Sequence, residues 1–269
     1  MTRVTATAHG ALADSTIHRQ WVAAYRTPEA QKFYETAFDE LLREVNAPVG
    51  ATFLDAGCGS CAKSILLAGR GMRVVGTDFS SDALQLAAET VRANGVSGRI
   101  TLRQGDLLNL PFEDGEFRYI LCWGVLMHVP ELQRALAELS RVLAPGGKLV
   151  LSEGNMHSMQ SVALRALKKV LGRGRGRVMR VPAGLESHEQ TEHGALLTRQ
   201  TDMVWLTAEC RRLGLDLTRR RAGQFTELYV LAPWRWLRQA MHAFNDVWFR
   251  FVRLPGPAFA NILIFEKRA

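Results

Sequence analysis

Leu54-Asp55-Ala56-Gly57-Cys58-Gly59-Ser60-Cys61-Ala62 places an acid and two glycines where an apolar strand gives way to a helix. Glycine at such a bend lets a ligand lie against bare backbone, because no side chain stands in the way. Twenty-three residues after Asp55, the run Val74-Val75-Gly76-Thr77-Asp78 ends a second strand in an acid. A carboxylate there is set to accept hydrogen bonds from a ribose diol. Loop and acid together point to a nucleoside-cofactor site in the first third of the chain.

The elements that must hold these residues follow from the pattern around them. Apolar runs predict strands at 52–55, 73–77, 100–104, 117–122 and 147–152, with helices at 61–69, 80–94 and 130–143 between them. Strands that are apolar throughout and separated by helices imply a parallel sheet covered on both faces. Residues 17–45 read as helical. Thr27-Pro28-Glu29 supplies a capping hydroxyl, a proline in the first turn and an early acid. A shorter helix before it would hold Trp21 and Tyr25. After Ser152 the rhythm changes to a basic helix, a Gly/Arg loop and the polar stretch 186–193. A helix near 200–213, a strand at 215–221 and a last strand at 260–265 bring the total to seven strands. Between the last two, Trp234, Leu237, Met241, Phe244, Trp248 and Phe251 recur at spacings of three and four. That stripe reads first as core or as a homodimer interface, and second, with the basic helix 159–171, as a membrane-facing surface.

Size and composition set bounds. The chain has 269 residues, 47 % apolar and 22 % charged, which suits one elaborated soluble domain. No apolar run is long enough for a membrane span, and residues 1–14 lack a signal-peptide core, so they read as a flexible tail of a cytoplasmic protein. The net charge of +8 is concentrated at 165–180 and 211–221 and reads as solvated surface. Of four cysteines, only Cys58 and Cys61 are close, and no second ligand pair accompanies them. They read as small, reduced turn residues, with no metal called for.

The order of these signals resembles class I S-adenosylmethionine-dependent methyltransferases, of the group related to ubiquinone and menaquinone methyltransferases. Leu54–Gly59, Gly76-Thr77-Asp78-Phe79-Ser80, Gly105-Asp106-Leu107 through Leu110-Pro111-Phe112, and Leu143-Ala144-Pro145-Gly146-Gly147 carry the resemblance, with Tyr119–Cys122 through His128-Val129 fitting the fourth-strand region. It covers residues 50–152. One departure is Cys61, where the family often has a third glycine. The resemblance implies a doubly wound, Rossmann-like α/β fold, its seven-stranded sheet mostly parallel. N-terminal helices precede that sheet, and insertions after strands 5 and 6 cap it. The divisions are a tail at 1–14, a helical lid at 15–48 and a cofactor core at 49–154. A cap insertion at 155–200 follows, then the rest of the core at 201–269 with a helical insertion at 223–256.

On that resemblance, Asp55, Gly57 and Gly59 shape the pocket for the methionine part of the cofactor. Asp78, with Phe79 beside it, takes the ribose. Asp106 accepts from the adenine amino group, and the Leu107 backbone reads the ring edge. Cys122 and Trp123 close the methionine side, and Tyr25 or Arg26 hold its carboxylate. The rival is an NAD-dependent oxidoreductase, since Gly57-x-Gly59-x-x-Ala62 also fits the dinucleotide pattern. Against it, Asp55 stands where dinucleotide folds place a small or apolar residue, and the Gly105-Asp106 signal has no role in hydride transfer.

Methyl transfer to a hydroxyl needs a base. Candidates stand just past the strand ends: His157 first, then His128, with Glu153 also there. The expected acceptor is a small molecule, a sugar or polyol hydroxyl in the first place, because the stretch holding Glu186, His188, Glu189, Glu192 and His193 could hydrogen-bond it. A lipid, quinone or other natural product comes next. RNA binding through Gly172–Arg177 ranks low, because the run is short and lacks aromatics. DNA is not expected.

Overall fold

The computed structural model describes residues 12, 17–19, 27–171, 178–191 and 194–269. Its main sheet has seven strands: β1 (Thr52–Ala56), β2 (Arg73–Asp78), β3 (Ile100–Gln104), β4 (Phe117–Trp123), β5 (Leu143–Gly154), β9 (Leu215–Ala222) and β10 (Ala260–Lys267). Their order in space is β3-β2-β1-β4-β5-β10-β9. The first five run parallel, and β10 is antiparallel to both β5 and β9. This is the expected mostly parallel, doubly wound sheet, with its order reversing between β1 and β4.

Alternation along the strands divides the core. Phe53, Val74, Leu121 and Val150 face α1 (Pro28–Val45), α2 (Ala62–Gly69) and α3 (Ser81–Ala93). Leu54, Ile120, Leu149 and Leu151 face α4 (Leu132–Val142) and α6 (Met203–Arg212). Successive strand residues point to opposite faces, so each apolar strand feeds both layers. The helix starts are written in the sequence: Thr27 caps α1 by accepting from the Ala30 N–H, and Ser80 caps α3 by accepting from Ala83.

Residues 155–200 begin with the expected basic helix and then form strands where the sequence reading placed only a polar stretch. After α5 (Met159–Val170), three antiparallel strands form a second sheet: β6 (Val178–Val181), β7 (Gly184–Thr191) and β8 (Gly194–Thr201). The polar stretch from Glu186 onward is therefore ladder-paired strand. Arg199, buried on β8, ties this sheet to the turn at 126–129 that follows β4. Its guanidinium donates to the carbonyls of Leu126 and Val129, each at 2.9 Å, and pairs with Glu186 at 2.6 Å.

The aromatic helix runs as α7 (Arg235–Val247) and continues into a wider turn at Trp248–Val252. Its buried residues are His242 and Asn245, whereas Trp234, Trp236 and Phe244 are exposed. Of the expected stripe, Trp234, Phe244 and Phe251 are exposed and Leu237, Met241 and Trp248 half-buried, so it is not fully buried core. Among the described residues, no helix is long and apolar enough to cross a membrane. Tyr25, Arg26, Trp21 and the Gly172–Arg177 run lie outside the described residues, as do Glu192 and His193.

Candidate active site

A cavity of about 590 Å³ opens at the carboxyl ends of β1, β2, β4 and β5, where an open α/β sheet places its ligand crevice. The strand-to-helix bend forms one wall. Gly57 has φ +79°, and a Cβ there would stand 2.6 Å from Val125, so the close approach admits only glycine. Cys61, where the resemblance led one to look for a third glycine, sits in the left-handed region at φ 61°, the conformation that glycine adopts without strain. The Cys58 thiol, hydrogen-bonded to Cys61 and buried, titrates well above its ordinary range, so it is no ready thiolate. Gly105 forms a second bare patch, because a Cβ there would meet Pro111 at 2.6 Å and the Thr77 hydroxyl at 2.8 Å.

Asp78 lines the cavity from the end of β2. One carboxylate oxygen accepts from the Gly59 N–H at 2.9 Å and the other from the Ser80 N–H at 3.0 Å. Each oxygen keeps a lone pair for a further donor. Burial raises the Asp78 pKa, although these backbone hydrogen bonds oppose the shift. Phe79, Asp106 and Leu107 also line the cavity, as do Gly57 and Gly59. Asp106 accepts from the Leu108 N–H at 2.9 Å, which makes it a turn residue as well as part of the wall. Trp123 lines the opposite side, its ring tilted 5.3 Å from that of Phe38.

Three expected site residues are not on the wall. Asp55 is buried behind the loop, where it accepts from the Ser64 hydroxyl at 2.5 Å; burial pushes its carboxyl up to about 6. It ties β1 to α2. Cys122 is wholly buried among the core residues facing α4, because alternation along β4 turns it from the crevice while its neighbour Trp123 reaches it. His157 is exposed on the far side of the turn after β5. Its backbone N–H donates to Asn155, and its ring stands 3.6 Å from Asp202 at the start of α6.

Glu153 and His128 do line the cavity. Glu153 is 2 % exposed. Its Oε1 accepts from the Leu126 N–H at 3.2 Å, and its Oε2 is buried with no hydrogen-bond partner. Burial pushes this carboxyl up to about 8. The His128 Nδ1 lies 2.7 Å from the Leu197 carbonyl, an acceptor only, so the proton sits on Nδ1 and the lone pair on Nε2. Burial lowers the His128 pKa and favours the neutral ring.

Sequence reading missed much of the wall. Tyr34 and Lys63 come from α1 and α2, His18 from the N-terminal region, Gln224 and Glu227 from beyond β9, and Phe259 from the approach to β10. The Gln224 Nε2 and the Thr77 hydroxyl are buried there without partners. None of these residues carries a motif; the sheet order brings them together. The charge balance is one-sided. Among the described residues, Asp78, Asp106, Glu153, Glu189 and Glu227 line the cavity against one lysine, Lys63. Of the polar stretch at 186–193, only Glu189 among the described residues reaches it. No three potential metal ligands cluster among the described residues.

Residues 54–151 match a family described as a methyltransferase domain. A demethylmenaquinone methyltransferase of Staphylococcus saprophyticus is 36 % identical over 123 residues, which are 45 % of this chain and 52 % of that protein. Methyltransferase GfsG of Streptomyces halstedii is 30 % identical over 120 residues, 44 % of this chain and 43 % of that one. The chain thus spans about half the length of the curated relatives it matches. Solved structures extend the likeness to nearly the whole chain. Magnesium protoporphyrin IX methyltransferase of Synechocystis, crystallised with bound SAH, superposes with a TM-score of 0.62 at 19 % identity, over 97 % of this chain and 98 % of that one. The [4+2]-cyclase SpnF superposes at 0.59 and 20 % identity, over 87 % and 81 %. At these identities the likeness is one of fold.

Proposed function

We propose, from a chain whose residues 54–151 form a methyltransferase domain, that the protein binds S-adenosylmethionine and methylates a small, largely apolar molecule. The observation that carries this reading is the cavity's charge. Asp78, Asp106, Glu189 and Glu227, four carboxyl groups beside a Glu153 that burial keeps protonated to about pH 8, stand against one lysine among the described residues and suit a sulfonium cation. The same surroundings oppose the two negative charges of a dinucleotide pyrophosphate, which disfavours the NAD-dependent rival.

The residues present fit the cofactor. The bare backbone at Gly57, Gly59 and Gly105 admits a flat, close-lying ligand, and Asp78 would take the ribose hydroxyls. The Thr77 hydroxyl, buried without a partner, would supply a further polar contact. Asp106 and the Leu107 backbone would receive the adenine. When bound, S-adenosylmethionine supplies an already activated methyl group. The chain's own task is to orient the acceptor, exclude water and move one proton.

Glu153 is the group we assign to that proton. Glu153 lines the cavity with its Oε2 buried and unpartnered, and its pKa, pushed up by burial to about 8, matches a base working at mild pH. An acceptor hydroxyl, phenol or enol would lose its proton to Glu153 as the methyl group arrives. His128 flanks the same wall as a neutral hydrogen-bond partner. His157 is withdrawn from this role because it points away from the cavity. A sugar is replaced as first choice, because the polar stretch meant to hold it is paired in β7 and, among the described residues, contributes only Glu189. The quinone-directed relatives support an apolar, oxygen-bearing acceptor instead.

Titration calorimetry with S-adenosylhomocysteine and with NADH tests the cofactor reading. We expect binding of the former only, and Asp78→Ala to weaken it about ten- to hundredfold through loss of charge-assisted hydrogen bonds. NADH binding without S-adenosylhomocysteine binding would sink the proposal. A methyl-transfer screen over phenols, quinols, sugars and amines, read by mass spectrometry, then identifies the acceptor.

A further inference from the structure

Two helices beside the cavity turn their apolar stripes outward. On α7, Trp236, Phe244 and Val247 are exposed, while the opposite face buries His242 and Asn245. On α5, Met159, Val162, Leu167 and Val170 are exposed, and the only buried residue is Ser161. Both sets recur at helical spacing, so each is a continuous stripe. A helix docked on its own domain does the reverse.

The two helices are tied to one segment. The segment Phe225–Glu227 lies between them. Gln160 of α5 accepts from the Thr226 hydroxyl at 2.6 Å and from the Glu227 N–H at 2.9 Å. Asn245 of α7 accepts from the Thr226 N–H and donates to its carbonyl. Beyond α7, Phe251 is 77 % exposed and Leu254 58 %. Glu227 itself lines the cavity, so this surface adjoins the site.

Charge identifies what covers it. Among the described residues of 154–185, Arg165, Lys168, Lys169 and Arg180 are basic and none is acidic. Residues 228–256 hold four arginines and one acid, Asp246. A second copy packed symmetrically would bring these basic sets against themselves. Apolar stripes with tryptophan and phenylalanine, flanked by arginine and lysine, match the boundary of an anionic bilayer, where rings sit at headgroup level and basic side chains reach phosphate.

We propose that α5, α7 and the turn through Leu254 form a membrane-surface docking face for anionic lipid. This needs no methyl transfer to be true, and it can be tested without knowing the acceptor. The test is co-sedimentation of the full chain with phosphatidylcholine vesicles, with and without phosphatidylglycerol. We expect binding to the anionic vesicles that falls as salt rises. Trp236→Glu with Phe251→Glu should lower partitioning about tenfold or more, as should Lys168→Glu with Lys169→Glu. Circular dichroism and the affinity for S-adenosylhomocysteine serve as folding controls. Lys168 and Lys169 are exposed in the last turn of α5, so their replacement should leave the fold intact. Absence of binding at low salt overturns the proposal, as does binding that neither pair of substitutions weakens. Light scattering that shows a stable dimer, dissociated by the Trp236 and Phe251 changes, overturns it in favour of a second copy.

Discussion

A carboxyl group that keeps its proton to about pH 8 links catalysis and stability to pH in opposite senses. Burial raises Glu153 from an ordinary 4.5 to about 8. As a base it works only when ionised, so the rate of an O-methylation should climb through that pH and level off. Glu153→Gln should lower kcat about a hundredfold or more and remove the rise. Pre-steady-state or initial-rate profiles would show it, and an unchanged profile would remove Glu153 from the reaction. For folding the sign reverses. Between about 4.5 and about 8 the folded state holds a proton that the unfolded state has released, so stability falls as pH rises through that window. The variant should flatten that slope in thermal melts. Residue-scale legibility was uneven. Asp78 and Glu153 could be named from strand ends alone. His157, three residues past β5, could not be distinguished from them, because a turn tied by Asn155 swings it outward.

Among the elements, the bend after β1 is the most constrained. Gly57→Ala would force a side chain into the left-handed region and against Val125. The expected cost is about 1–3 kcal/mol in stability with a parallel loss of cofactor affinity. Adding Val125→Ala should recover the steric part of the loss and leave the backbone part, which denaturant melts and calorimetry can separate. That bend was readable because its chemistry is local: glycine, an acid and a helix start in nine residues. The same holds for the alternating strands and helices of 52–152, whose boundaries differ from the sequence reading mostly by a residue or two. The second sheet was not readable. β7 carries Glu186, Ser187, His188, Glu189 and Gln190, with no apolar alternation to signal a strand, because neither of its faces joins a core. The direction of α7 was also hidden. Periodicity establishes that a helix has an apolar side but not whether that side meets protein, and here polar Asn245 and His242 are the ones packed inward.

At the scale of the molecule, charge is segregated: an acidic crevice sits in a chain of net +8. Composition alone gave the sum, and only the fold gave the sorting, since the five acids come from distant stretches of sequence. The second organising feature is Arg199, nearly inaccessible to solvent and shared between the small sheet and the Leu126–Pro130 wall. Replacing it by Met strands Glu186 and two carbonyls, which should cost about 3–5 kcal/mol and lower Tm by about 10 °C. A melt unchanged within a degree or so would show the tie to be dispensable.

That tie also bears on how such a protein could diversify. Residues 178–201 form a self-paired unit whose polar anchor into the parent fold, Arg199, is satisfied partly by Glu186 of the same unit. A segment that carries its own counter-ion can be exchanged between lineages as a cassette, provided the recipient offers carbonyls where Leu126 and Val129 stand. New acceptor preferences could then arise by transplantation, with the glycine bend and its carboxylates left untouched.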